Sequence, residues 1–339
     1  IEKDQIYKEK NIIKIFSSEN IFAEEKTLQK KITPTKAKKN LSWQMSNLNH
    51  QNLLGNIYLS GVNNKFLKKK VGKNKISLSR ITNPPISFKN FLFVSDDKGS
   101  IVKINEFGEI SWKTNIYKKI YKKIYKNLTF SIYKNNMYVA DNIGFIYALN
   151  LENGVPIWIK NHGVPLKSKI KVNNEKIFLI NQDNRLLCFS IKDGSMFWNI
   201  RSVKSFIKSQ NLLSLALSKQ GEIVSIDTSG NLMKVNSQNG VINWSLNATE
   251  SMLAHSTDFF KSSDVVISDD NIIFSTDEKI FSYALNNGYL NWKQDISSVS
   301  TPIVDGGNVF FVTRNGYFVI LNYFTGELIS SNHIFKILK

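Results

Sequence analysis

The chain has 339 residues, with 45 Lys and Arg against 27 Asp and Glu and a formal net charge of +18. That length can hold one large or two ordinary domains around a sizeable core, and the lack of any run of 18 apolar residues excludes a membrane-crossing helix. The single cysteine, Cys188, excludes an intrachain disulfide and a cysteine metal cluster. It sits in the run Leu186-Leu187-Cys188-Phe189 and reads as a small buried residue.

The positive charge is almost entirely lysine, since arginine occurs only at Arg80, Arg185, Arg201 and Arg314. Arg forks dominate phosphate and base recognition, so the composition reads as a lysine-rich solvated surface and no nucleic-acid partner is expected.

In chain order, residues 1–40 are rich in Lys and Glu and carry no hairpin signal, which predicts a flexible leader. Residues 41–80, beginning near Trp43, form a pre-propeller segment expected to help close a ring. From residue 81 to 339 the sequence repeats. Trp112, Trp158, Trp198, Trp244 and Trp292 are spaced by 46, 40, 46 and 48 residues, and each lies four residues after a glycine. The turn pairs are Phe107-Gly108, Asn153-Gly154, Asp193-Gly194, Asn239-Gly240 and Asn287-Gly288, with Thr325-Gly326 closing the series. Asn-Gly and Asp-Gly predict type I′ hairpins, whose two central residues both need positive φ.

Upstream of each pair lies a second hairpin. The clearest is Met137 to Ala140, a turn over 141–144, then Phe145 to Leu149. The same pattern recurs at Phe91 to Ile104, Ile177 to Phe189, Ile223 to Val235, Ile272 to Ala284 and Val309 to Leu321. A further strand is expected ahead of each unit, near Pro84-Pro85-Ile86, Val164-Pro165 and Pro302-Ile303-Val304.

Four short strands per unit of 40–48 residues describe a β-propeller blade. The fold class predicted is therefore all-β, a propeller of four-stranded antiparallel blades, six of them visible. The series stops soon after Gly326, so the propeller is expected to be incomplete at its C-terminus. A residue placed identically in every repeat serves the repeat; the five tryptophans and Gly154, Gly194, Gly240, Gly288 and Gly326 are read as structural. Each tryptophan is expected on an outer strand, filling the wedge between blades. Asp141, Asp183, Asp227 and Asp277 fall in turns, where aspartate suits the backbone. One segment departs from the repeat: between Ile116 and Asn127, Tyr-Lys-Lys-Ile recurs, placing Tyr117, Tyr121 and Tyr125 on one helical stripe.

The motif apolar-x-Asp-x-x-Gly-x-Ile-Tyr-Ala-Leu-Asn-x-x-Asn-Gly-x-x-x-Trp, complete at Val139 to Trp158, resembles the repeat of the pyrroloquinoline quinone (PQQ) propeller superfamily. Within it, the chain looks most like the BamB family, scaffold lipoproteins of the machinery that folds outer-membrane β-barrels. Trp43, Asn47 and His50 with Leu53-Leu54 are similar to a Trp-x-x-x-Gly-x-x-x-x-His element of that family, with Asn47 in place of the glycine.

The resemblance implies an eight-bladed, non-enzymatic scaffold with no cofactor, at the periplasmic face of the bacterial outer membrane. Its lipid anchor would lie upstream of residue 1. The implied partners are the periplasmic domains of a BamA-like barrel insertase, with nascent outer-membrane proteins as possible clients. The implied docking loops precede the fourth and fifth blades, at Phe206, Ile207 and Lys208 and at Asp258 and Phe260. Phe206 and Ile207 read equally well as core residues of an inner strand.

Two other readings stay open at this stage. A PQQ-dependent dehydrogenase would need a channel tryptophan and a calcium-binding set of acids and amide; no such set can be placed. Catalytic and metal residues are not identified either, because His50, His162, His255 and His333 are scattered. A propeller binding an anionic partner would use the lysines between Lys118 and Lys126.

Overall fold

A computed structural model describes residues 22–29, 31–59, 68–69, 71–72, 84–201, 212–249, 260–298 and 300–334. Among them are six four-stranded antiparallel sheets, each built from strands consecutive in sequence. Blade 1 comprises Ile86–Phe88, Phe91–Ser95, Ile101–Ile104 and Ile110–Thr114; blade 2 comprises Leu128–Tyr133, Asn136–Asp141, Phe145–Asn150 and Pro156–Asn161. Blade 3 runs through Lys171–Asn173, Lys176–Ile180, Arg185–Ser190 and Met196–Arg201, and blade 4 through Ser214–Leu217, Ile223–Ile226, Asn231–Val235 and Ile242–Asn247. Blade 5 is Val266–Ser268, Asn271–Ser275, Ile280–Ala284 and Leu290–Gln294; blade 6 is Ile303–Asp305, Asn308–Val312, Tyr317–Asn322 and Leu328–His333.

The first strands of blades 2 and 3, 3 and 4, and 4 and 5 lie against one another, so the first strand of each blade is innermost. The middle strands are buried on both faces, as in Ile177 to Ile180 and Leu186 to Phe189, whereas the fourth strand is largely exposed. Burial on both faces follows from radial stacking. The core is accordingly a series of apolar layers, one between each pair of consecutive blades.

The chain reverses on two rims. Strands one and two, and three and four, turn on one rim, here the turn rim. The turns between strands two and three share the other with the links between blades, here the connection rim.

Two details of the hairpins correct the sequence reading. At Asn153-Gly154 only Gly154 has positive φ, at 72°, and its N–H closes on Asn150 O at 2.9 Å. This is a four-residue loop ending in one left-handed residue. Paired positive φ angles occur instead in the first turns, at Lys89-Asn90 (48° and 62°) and Asn174-Glu175 (46° and 60°). The second correction is the first strand of blade 3. It is Lys171–Asn173, not Val164-Pro165; the chain just after Pro165 is tied by isolated bridges, Leu166 to Asn181 and Ser168 to Leu213.

On the connection rim one residue per turn gathers the loop N–H groups. Asp96 Oδ1 accepts from Lys98 and Ser100, Asp141 Oδ1 from Ile143 and Phe145, and Asp227 Oδ1 from Ser229 and Asn231. In blades 3 and 5 that role falls to Asn181 and Thr276, not to Asp183 or Asp277.

The tryptophans lie on the fourth strands, as expected, but each one docks on a specific turn of the following blade. The indole N–H of Trp112 donates to Leu151 O (3.2 Å), Trp158 to Ile191 O (2.9 Å), Trp244 to Leu285 O (3.1 Å) and Trp292 to Tyr323 O (2.9 Å). Each ring covers the next repeat glycine: Trp112 covers Gly154, Trp158 Gly194, Trp198 Gly240, Trp244 Gly288 and Trp292 Gly326. In blade 6 the equivalent position, four residues after Gly326, is Ser330.

Residues 22–29 and 31–40 fall where the sequence suggests a flexible leader, yet both stretches contact blade 6. Lys26 bridges Ser331 on its fourth strand, with Ser330 Oγ donating to Lys26 O (3.0 Å) and Ser331 Oγ to Glu24 O (2.6 Å). Thr35 N–H donates to Asp305 Oδ2 at 2.8 Å on the first strand of the same blade.

Candidate functional site: an axial strap and the connection rim

Residues 43–53 form a strap across the inner strands of five blades. Trp43 exchanges backbone hydrogen bonds with Ser87 of blade 1 (2.8 and 2.9 Å). Gln44 O accepts from Ile132 N–H of blade 2 at 2.8 Å. His50 Nε2 lies 2.8 Å from Val172 O of blade 3, and His50 O accepts from Leu217 N–H of blade 4 at 2.8 Å. Gln51 O takes Ile267 N–H of blade 5 at 3.0 Å. Leu53 then packs into the layer between blades 5 and 6. An inner strand leaves its backbone polar groups unpaired on the axial edge; the strap satisfies part of that edge in every blade from 1 to 5.

Sharp bends let one short segment do this. Asn47, Leu48 and Asn52 have φ of 62°, 68° and 56°. Asparagine tolerates the left-handed region better than most residues, which is why Asn47 can stand where the resembled element has glycine. Asn52 is buried, and its Nδ2 donates to both Leu215 O of blade 4 (3.1 Å) and Val265 O of blade 5 (2.8 Å).

Beneath the strap lies a polar cluster. Lys171 is fully buried, and its Nζ donates to Asn49 O (2.6 Å), Asn52 Oδ1 (2.7 Å) and Ser46 O (3.4 Å). Burial, with a smaller contribution from the Lys169 charge, pulls its pKa down to about 7 against the attraction of Asp264. Lys169 pairs with Asp264 and also donates to Asn47 Oδ1 at 3.0 Å. Burial would raise the Asp264 pKa, but the Lys169 charge and hydrogen bond outweigh it and leave the carboxyl below its usual range. His50 is held below the usual imidazole range, chiefly by burial. A lysine near neutral pKa is chemically suited to proton transfer or nucleophilic attack. Lys171 instead has its ammonium enclosed by strap carbonyls, so its role is to fasten the strap.

Sequence reading singled out Trp43, Asn47 and His50 but not Lys169, Lys171 or Asp264. The available signal was the alternation Lys169-Ile170-Lys171-Val172, two lysines on one face of an otherwise apolar inner segment. Among the described residues, no three of His, Cys, Asp and Glu converge as a metal site would require.

Of the expected docking residues, Phe206, Ile207, Lys208 and Asp258 lie outside the described residues, in sequence between blades 3 and 4 and between blades 4 and 5. Phe260 is half-buried on the connection rim. Its N–H meets Thr228 O at 3.3 Å, and its ring packs beside Gly230 against the layer between blades 4 and 5. Cys188 is buried in the layer between blades 3 and 4, and burial pushes its thiol up to about 12.

The helical stripe expected over Ile116 to Asn127 is a single 3-10 turn, Lys119–Tyr121, within an otherwise irregular link between blades 1 and 2. Tyr117 and Tyr121 turn inward without a continuous helix. Tyr117 and Tyr121 both lie edge-on to Phe145, and Tyr117 Oη donates to Asp141 Oδ2 at 2.5 Å.

Comparison with known proteins places this architecture. The outer membrane protein assembly factor BamB of Moranella endobia is 23% identical over 235 residues, 61% of this chain and 58% of that protein. The protein of the same description from Shewanella oneidensis is 23% identical over 263 residues, 67% of this chain and 62% of its own length. The chain thus spans about 60% of the length of these curated relatives. The crystal structure of BamB from Moraxella catarrhalis superposes with a TM-score of 0.63 at 13% identity, covering 74% of this chain and 75% of that one, which shows the shared propeller fold. The family model described as outer membrane protein assembly factor BamB matches residues 97–331, and with more than two thirds of its length inside that match the chain belongs to the BamB family.

Proposed function

We propose that this propeller is a non-enzymatic scaffold of outer-membrane β-barrel assembly at the periplasmic face of the outer membrane. It would dock the periplasmic domains of a BamA-like insertase through connection-rim loops at Phe206 to Lys208 and Asp258 to Phe260. The observation that carries the non-enzymatic part is the strap. The inner strands that would line a central cofactor site are covered in part by residues 43–53, hydrogen-bonded to blades 1 to 5. A PQQ ring would have to displace that segment and expose the buried ammonium of Lys171.

With the inner strands covered by the chain itself, binding falls to the rims. In sequence, Phe206, Ile207 and Phe260 bring apolar side chains to these links and Lys208 and Asp258 bring charges, the composition of an interface centre. An eight-bladed ring in the intact protein belongs to the same reading. On blade 6, Ile303, Phe310, Val312, Phe318 and Ile320 share the face turned away from blade 5. Ile303 and Val312 are each 37% exposed, which suits a face that receives another blade.

The test is calorimetric titration with the insertase periplasmic domains at physiological salt. Micromolar or tighter binding, lost in the Lys208→Glu, Asp258→Lys variant, is expected. Undetectable binding by folded protein, alongside saturable binding of PQQ with calcium, would overturn the proposal.

A further inference from the structure

The link between blades 1 and 2 presents a surface that docking does not use. Two of its three tyrosines face inward, Tyr117 and Tyr121 packing on Phe145, and the backbone carbonyl of Tyr125 accepts from Asn142 Nδ2 at 3.0 Å. Lys126 is buried as well, its Nζ bonded to Tyr121 O and lying 5.1 Å from the Tyr117 ring centre. These anchors leave the remaining side chains pointing outward. Lys118, Lys119, Lys122 and Lys123 are exposed, and between them Ile120 is 78% and Ile124 43% exposed. The carboxylates that act on Lys126, Asp141, Asp96 and Asp97, are buried.

We infer that residues 118–124 form a contact for an anionic lipid surface, with the four lysines at the headgroups and Ile120 inserted between them. Two observations separate this from nucleic-acid binding. Single-strand binders need several exposed aromatic faces on which bases stack, and two of the three tyrosine rings of this lobe, Tyr117 and Tyr121, are packed on Phe145. Two exposed isoleucines ringed by lysine have no role on a phosphodiester backbone, but they match an interfacial element that adds apolar insertion to charge attraction. Ile120 is carried on the 3-10 turn Lys119–Tyr121.

The probe is co-flotation of the unlipidated chain with vesicles of phosphatidylglycerol and phosphatidylethanolamine, against phosphatidylcholine alone. Each lysine near an anionic surface contributes about five-fold in affinity. Replacing Lys118, Lys119, Lys122 and Lys123 by serine therefore weakens binding at least ten-fold, and Ile120→Ser weakens it several-fold further at high salt. In an Ile120→Trp variant, the emission shifts to the blue with anionic vesicles only. Circular dichroism and thermal melting verify that every variant is folded. The inference is overturned if folded wild type does not float with anionic vesicles, or if the serine variants bind as well as wild type. It is equally overturned if single-stranded DNA binds more tightly, independently of Ile120.

Discussion

The indole of Trp112 lies directly over Gly154: a Cβ on that glycine would sit 2.6 Å from Trp112 Cδ2. Trp112 belongs to blade 1 and Gly154 to blade 2, and the same overlap recurs at the next four blade junctions. The tryptophan repeat and the glycine repeat are therefore two halves of one joint. The glycine is required twice over, for its left-handed φ of 72° and for the space the ring occupies.

Gly154→Ala destabilises the protein by about 2–4 kcal/mol, combining a left-handed backbone cost with overpacking against the indole. Gly163 has a similar φ of 71° but nothing within 4 Å of its virtual Cβ. Gly163→Ala therefore costs only about 1 kcal/mol. Urea unfolding of both variants checks the difference.

The joints differ in one respect. Trp292 N–H donates to Tyr323 O, whereas the buried N–H of Trp198 has no hydrogen-bond partner among the described residues. Trp292→Phe leaves a buried carbonyl unsatisfied, and Trp198→Phe removes an unpaired donor. The first is expected to be the more destabilising by about 1–3 kcal/mol, as read from paired unfolding curves.

Lys171 makes stability depend on pH. Its folded pKa of about 7 lies below the ordinary lysine value, so above pH 7 the unfolded chain binds the extra proton. Stability therefore rises from about pH 7 toward pH 10 and is flat below 7, with a total change of a few kcal/mol at most. In Lys171→Met this rise disappears. Unfolding free energies measured at pH 6.5, 8 and 9.5 test the slope.

Asn47 gives a backbone test of the strap. Asn47→Gly and Asn47→Ala both lose the hydrogen bond from Lys169, but only alanine is strained at a φ of 62°. The alanine variant is expected to be the less stable by about 1 kcal/mol, measured by thermal melting.

The blades were legible in the sequence because their signals are local: strand alternation, a glycine turn and a tryptophan at fixed offset. Trp43, Asn47 and His50 were legible as an element, but not as a strap, because their partners Ser87, Val172 and Leu217 are 44 to 167 positions away. Lys171 and Asp264 were hidden for the same reason: each looks like ordinary surface charge until the fold brings both beneath the strap. The tyrosines of the inter-blade link gave a helical period without a helix, since Phe145, the residue that draws Tyr117 and Tyr121 inward, belongs to the neighbouring blade.

The central claim is that this chain works by binding on its connection rim while its inner strands are covered by its own strap. Hydrogen exchange with and without the insertase periplasmic domains tests this most directly. The account predicts new protection at residues 202–211 and 250–260, with no change at 43–53 or at the turn-rim loops near Gly154 and Gly194. Protection confined to the turn rim, or exchange of the strap quickened by the partner, would contradict it.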